Sequence, residues 1–438
     1  MQSLPQINAS AWGGLGRPGP AAACPILRPP SSVAGNNSCF SRPQPHLPVL
    51  PEGNAVTKSR AAQGSMKALS LSRRAEDGNG VVTSEVPKPK SLQPRTTLRL
   101  GLPSKGRMAE DTLKLFNDSA LSIKKPNPRQ YVAQIPQIPA LEVWFQRASD
   151  VVRKLRYGDI DLGIVGYDMF AELAEEDEDL IVVHDALDFG QCKLALGVPM
   201  TGKFAGVDSM EALCNMPQWT PETPLRVVTG YHNIAKRFFE RAGLKNVQLM
   251  SADGALEAAP AMGSADIILD LVSTGVTLRE NNLKEIEGGT IMQSQGILVA
   301  SKKALLDRPG LLQIVHELIE RFDAHLTAEQ YFSVIANMKG TSPEDVANRL
   351  LRVPGLEGLQ GPTIANVYNK NENGEAVHHV FAATICVTKK RIYSAVKALQ
   401  KIGGSDVLVL PMTYIFNEEP VRWKNLLNAL KLESKDVH

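Results

Sequence analysis

Asp270, Ser273, Thr274, Gly275 and Thr277 place one carboxylate, three hydroxyls and a glycine within eight residues. Together with the intervening Leu271, Val272 and Val276 they make a loop whose chemistry suits a phosphorylated sugar. The apolar run Ile267-Ile268-Leu269 predicts a buried parallel strand that ends on Asp270. A helix starting after Ser273-Thr274-Gly275 offers unpaired backbone N–H groups, hydroxyl donors and the positive end of a helix dipole, which together hold a phosphate. The carboxylate at the strand tip is placed to accept hydrogen bonds from vicinal hydroxyls, as on a ribose. The same residue pattern also makes an ordinary capped turn, and at this level both readings stand.

Other charges sit near predicted strand ends. Lys105 and Arg107 follow the strand Leu98–Leu102, where they would neutralise a polyphosphate or simply line a solvated loop. Arg147 follows the apolar run Val143-Trp144-Phe145, and Tyr231 stands at a strand–helix junction, where its ring would stack on a planar base or edge the core. Asp168 opens a helix after Gly166 and is a natural partner for the helix dipole. His184, His316 and His325 lack metal-ligand spacing and read as structural or surface residues, with no metal site assigned. There is no Ser/His/Asp set, no Gly-x-Gly-x-x-Gly after a strand and no Walker loop, which argues against a covalent hydrolase or a dinucleotide enzyme.

The elements that must position these groups read as α/β layers. Asp161–Gly166 is a strand running into the helix opened by Tyr167-Asp168, Cys192–Val198 is another, and Arg226–Thr229 feeds a helix from Ile234 to Arg241. Crossings near Val198–Pro199 and Ile291–Ser301 predict two lobes around a cleft, a periplasmic-binding-protein-like arrangement. Lobe I then comprises 96–198 and 291–329, and lobe II comprises 199–290 with the Asp270 loop. From 330 to 438 the order β-α-β-β-α-β predicts a ferredoxin-like module, with Ser342-Pro343 starting its first helix.

The first fifty residues contain no Asp or Glu but carry Arg17, Arg28 and Arg42 among serines, prolines and glycines. Residues 1–60 therefore read as a plastid transit peptide, or as a plain disordered tail, and 61–95 as a disordered linker. A net charge of +2 gives no case for nucleic acid, and no apolar stretch reaches the roughly 18–20 residues of a membrane span. Five scattered cysteines, an odd number with no Cys-x-x-Cys pair, point to a reducing compartment.

Taken together, the segment Glu257, Gly263, Ala265, Ile268, Asp270, Leu271, Thr274, Gly275, Thr277 and Leu278 resembles the signature of the ATP phosphoribosyltransferases. Leu102–Arg107, Asp161–Asp168 and Gly230–Asn233 are similar to other blocks of that family, and the likeness runs from about residue 97 to 438. His232 stands where relatives often carry proline, and Ser149 where some carry a basic residue. The tail, including Gly361–Ile364, looks like the regulatory domain of the long form. The resemblance implies a plastid-stroma transferase that joins phosphoribosyl pyrophosphate to N1 of ATP with Mg²⁺ and is inhibited by L-histidine. It implies a hexamer built from dimers.

For the site it implies Asp270 on the ribose hydroxyls and the 271–277 loop on the 5-phosphate. Lys105 and Arg147 would face pyrophosphate or triphosphate, and Arg107, Asp168 and Tyr231 the ATP. Thr363 and Ala382 are candidate contacts for histidine. Two rivals remain at this stage: a two-lobed binding protein without turnover, and a phosphoribosyltransferase for another base. The second is disfavoured because only one acidic residue precedes Ser-Thr-Gly.

Overall fold

The computed structural model describes residues 95–174, 177–252 and 254–433. The expected transit segment (1–60) and the linker (61–95, apart from Arg95) lie outside the described residues. The chain enters on β1 (Leu98–Pro103) and continues through β2 (Val132–Gln134), β3 (Leu141–Gln146), β4 (Leu162–Gly166) and β5 (Leu180–His184). It then runs through β6 (Cys192–Pro199), β7 (Leu225–Thr229), β8 (Val247–Ser251) and β9 (Ile267–Val272). After β10 (Leu283–Lys284) and β11 (Thr290–Ser294) it returns on β12 (Gly296–Ser301).

The first sheet has the order β2-β3-β1-β4-β12-β5, and the second β10-β6-β9-β7-β8, with β11 also paired to β6. These are two α/β lobes joined by two crossings, the periplasmic-binding-protein-like frame. The first crossing differs from the expected one, while the second falls within the expected Ile291–Ser301. They fall at residues 185–191 and at Gln295, because β6 pairs with β9 from Lys193 onward and with β11, so the whole strand belongs to lobe II. The crossings are tied together: Leu187 N–H donates to the Gly296 carbonyl at 3.1 Å, and Gly296 N–H to that of Phe189 at 2.9 Å.

Each sheet forms because its pattern matches its burial. In β3, Leu141, Val143 and Phe145 alternate into the core, the period of a strand buried on one face more than the other. All of β12 is buried, as befits a strand flanked by β4 and β5. Gly101 and Gly163 sit side by side in β1 and β4, and a Cβ on either would collide with Ile160 or Val151. Their bareness lets the helix Ala148–Tyr157 lie close on the sheet with Arg147 at its start. The helix Gly106–Asp118 buries Leu115 and Phe116 and leaves Leu113 exposed.

The C-terminal module contains β13 (Tyr331–Lys339), β14 (Thr363–Lys370), β15 (Ala376–Thr388) and β16 (Gly404–Pro411). Its antiparallel order β14-β15-β13-β16, with helices Pro343–Leu351 and Ile392–Lys401, is ferredoxin-like. Ser342 caps the first helix by accepting the Asp345 N–H at 3.3 Å. Val334, Phe381, Ile385 and Leu399 form its core on the helix side of the sheet.

One element was not anticipated. The helix Val421–Leu430 leaves the module and returns to lobe I, where Trp423, Leu426, Leu427 and Leu430 join the core under the helix Leu311–Ala328. The expected module of 330–438 is therefore narrower, about 331–411. The spacing of these four apolar residues is helical and was readable. Among the described residues no helix is long and apolar enough to cross a membrane.

Candidate active site

Two cavities of about 840 and 340 Å³ open between the lobes, and Arg147, Met169 and Tyr231 line both. Lobe I contributes the start of the helix Ala148–Tyr157 and the helix Tyr167–Ala174. Lobe II contributes the ends of β7 and β9. This is where open α/β sheets bind ligands, outside the carboxyl ends of their strands.

Asp270 lines the larger cavity with Glu257, Arg153 and His232. The strand does not end on it as expected. β9 runs with β7 only to Leu269, then continues to Val272 against β6 alone, so Asp270 sits on an overhang. Burial pushes its carboxyl up, and the negative charges of Glu257 and Asp168 push it further, although the Leu271 N–H donates to its Oδ1 at 2.7 Å. Beyond it, Ser273, Thr274, Val276 and Thr277 are exposed, while Val272 and Gly275 are buried. Gly275 takes φ +70°, a left-handed turn that favours glycine, and starts the helix Val276–Glu280.

Lys105 borders the smaller cavity beside Leu271, whereas Arg107 is exposed and lines neither of the two. Asp168 is only 6% exposed and its carboxylate is fully engaged. Its Oδ2 accepts the Tyr231 hydroxyl at 2.8 Å and its Oδ1 the Ser294 hydroxyl at 2.5 Å. Burial, and then the Asp168 charge, drive the Tyr231 phenol far above its ordinary pKa, so it acts as a fixed donor. The structure thus brings Lys105, Arg147, Asp168, Tyr231, Asp270 and Leu271 to one cleft, whereas neither Arg107 nor residues 273–277 line its two cavities. His232 is held by Ser251 Oγ at 3.2 Å, and Ser149 also lines the larger cavity.

Thr363 and Ala382 lie far along the chain but near each other. Thr363 and Ala365 pair with Thr384 and Ala382, and all four sit on the face of the sheet opposite Phe381, Ala383 and Ile385. Sequence reasoning missed Arg153, Glu172 and Ser294. Arg153 had a readable signal, since it follows Asp150 by three residues and its guanidinium lies 3.6 Å from that carboxylate; Glu172 and Ser294 had none.

Among the described residues no three His, Cys, Asp or Glu side chains converge in a set that could hold a metal alone. The negative charges of Glu257 and Asp168 near Asp270 would suit a cation there.

Residues 147–324 match the family model for ATP phosphoribosyltransferase (HisG), and residues 328–414 that for the HisG C-terminal domain. ATP phosphoribosyltransferase 2, chloroplastic, of Arabidopsis thaliana is 56% identical over 78% of this chain and 83% of its own. ATP phosphoribosyltransferase 1, chloroplastic, of the same plant is 50% identical over 93% and 95%. A solved ATP phosphoribosyl transferase (HisG:HisZ) complex from Thermotoga maritima aligns with 52% of this chain and 99% of its own, at 23% identity and a TM-score of 0.41. Identity of that extent along more than four-fifths of each plant relative shows that this chain belongs to the ATP phosphoribosyltransferase family, in the long form that carries the C-terminal domain.

Proposed function

We propose that the protein transfers the phosphoribosyl group of phosphoribosyl pyrophosphate to N1 of ATP, the first step of L-histidine biosynthesis. The bond from the anomeric carbon to pyrophosphate breaks, its electron pair leaves with pyrophosphate, and the N1 lone pair forms the new C–N bond. The observation that carries this reading is the cleft itself, in which Asp270 and Leu271 of lobe II share cavities with Arg147 and Lys105 of lobe I. A loose, oxocarbenium-like transition state needs positioning and charge neutralisation more than a general base.

In this reading Asp270 holds the ribose hydroxyls. Ser273, Thr274, Gly275 and Thr277 hold the 5-phosphate. Lys105 and Arg147 draw in the pyrophosphate or triphosphate, and the Tyr231 ring forms the adenine wall, held in place by Asp168. Mg²⁺ bound to the substrate phosphates would neutralise the leaving pyrophosphate, with Asp270 and Glu257 beside it.

L-Histidine inhibits by binding the open face of the ferredoxin-like sheet near Thr363 and Ala382. The protein works in the plastid stroma as a hexamer built from dimers, in keeping with relatives named chloroplastic. The test mixes protein lacking residues 1–60 with ATP, phosphoribosyl pyrophosphate, Mg²⁺ and pyrophosphatase, and follows phosphoribosyl-ATP by ultraviolet absorbance. Product that declines on adding L-histidine is the expected result. Folded protein that binds substrate without forming product would refute transfer.

A further inference from the structure

Asp168 and Glu172 stand one helical turn apart on the helix Tyr167–Ala174 of lobe I, so both carboxylates project from the same face. Both are buried, at 6% and 7% exposure, and both reach into lobe II. Asp168 takes the Tyr231 hydroxyl. Glu172 takes two backbone N–H groups at the start of the helix His232–Arg241: Asn233 N–H at Oε1 and Ile234 N–H at Oε2, each at 3.0 Å. The Glu172 carbonyl also accepts the Asn233 side-chain amide at 2.9 Å. The near end of the clasp is anchored to a crossing, since Asp168 N–H donates to Ser294 Oγ at 2.9 Å and Tyr167 N–H to the Gln295 carbonyl at 2.9 Å.

The start of that lobe II helix, just past the end of β7, is where such folds commonly seat a ligand anion. Here a carboxylate from the opposite lobe fills it. Glu172 and Leu173 line both the larger cavity and a further 360 Å³ cleft.

We propose that Glu172 is a positioning residue for the transfer reaction. It acts as an internal anion that clamps the β7–helix junction of lobe II onto lobe I, fixes Tyr231 between the two cavities, and leaves the 273–277 loop as the phosphate seat of lobe II. The inference rests on the transfer reading for its kinetic consequence but not for its structural one.

The test compares the full chain with its Glu172→Gln variant in two ways. Kinetically, kcat/KM for ATP should fall by about tenfold or more, the equivalent of one charge-assisted hydrogen bond. Combining it with Tyr231→Phe should cost less than the product of the two separate losses. By amide hydrogen exchange without substrate, protection should fall together in residues 167–173 of lobe I and 231–237 of lobe II. A rise in exchange confined to 232–237, or kinetics within twofold of the unsubstituted chain, would reduce Glu172 to a helix cap and overturn the proposal. If the unsubstituted chain itself makes no product, the transfer reading fails and the exchange pattern alone decides the clamp. Glu172→Asp, which keeps the charge and shortens the reach, takes the same two readings should the glutamine variant not fold.

Discussion

The hydroxyl of Tyr231 in lobe II donates to Oδ2 of Asp168 in lobe I at 2.8 Å, with both side chains buried. A residue pair that resembled two substrate contacts is thereby also a bond between the lobes. The phenol has given its hydrogen to the protein, so what it offers the cleft is the ring. Tyr231→Phe keeps that ring and removes the bond. It should destabilise the fold by about 2 kcal/mol, because a buried carboxylate oxygen loses its donor. Thermal melting alongside turnover checks this, and turnover should drop by about tenfold, or about 1.4 kcal/mol of lost positioning.

The surroundings of Asp270 work against its charged form. Burial and the neighbouring carboxylates of Glu257 and Asp168 raise its pKa, so the folded state binds its proton more tightly than the unfolded chain does. Stability is therefore lost as pH rises from the ordinary carboxylate range through the raised value, and it stays lower above it. Asp270→Asn should melt at a higher temperature than the unsubstituted protein at neutral pH while losing turnover by on the order of 10²–10³-fold. In the unsubstituted enzyme, kcat/KM should decline on acidification as Asp270 gains its proton. A pH series of melting curves and rates on both proteins reads all three effects.

His184 gives the opposite limb. It is fully buried, its Nε2 lies 3.2 Å from Asp323 Oδ1, and its Nδ1 accepts the Ala186 N–H at 3.3 Å. Burial lowers its pKa, outweighing the Asp323 bond that raises it. The unfolded chain thus holds that proton more tightly, and stability falls as pH drops below about 6.5, by at most about 1.4 kcal/mol per unit. His184→Gln, which keeps a donor toward Asp323, should flatten this acid limb in denaturant titrations.

The proposed inhibition by L-histidine is best tested by substitution on the open sheet face. Removing everything from residue 330 would also strip Trp423, Leu426, Leu427 and Leu430 from the lobe I core, and lost activity would then report unfolding. Ala382→Arg fills the face beside Ala365 without touching the core residues Phe381 and Ala383. It should raise the histidine concentration for half inhibition by about tenfold or more. Its uninhibited kcat should match that of the unsubstituted enzyme. Inhibition that persists unchanged would remove this face as the sensor.

Local pattern and tertiary pairing divide the molecule cleanly. The strand Ile267–Leu269, the Ser-Thr-Gly turn after it, the Ser342 cap and the β-α-β-β-α-β order were all legible, because apolar periodicity and turn chemistry act over a few neighbouring residues. Even the helix around Trp423 carried a readable period, though its docking on lobe I did not show. What the sequence could not express was that the strand Cys192–Pro199 joins the second sheet, and so where the chain first crosses between the lobes. Nor could it place Ser294 against Asp168, 126 residues away, or Glu172 against Ile234, 62 residues away. Those contacts leave no local trace, since a buried carboxylate or hydroxyl is chosen by the donors that the fold brings to it. The sequence by itself determined the layers, the modules and the Ser-Thr-Gly turn after the strand. Only the tertiary structure decided that two carboxylates on one short helix bridge the lobes, because their partners meet them only when both lobes have folded.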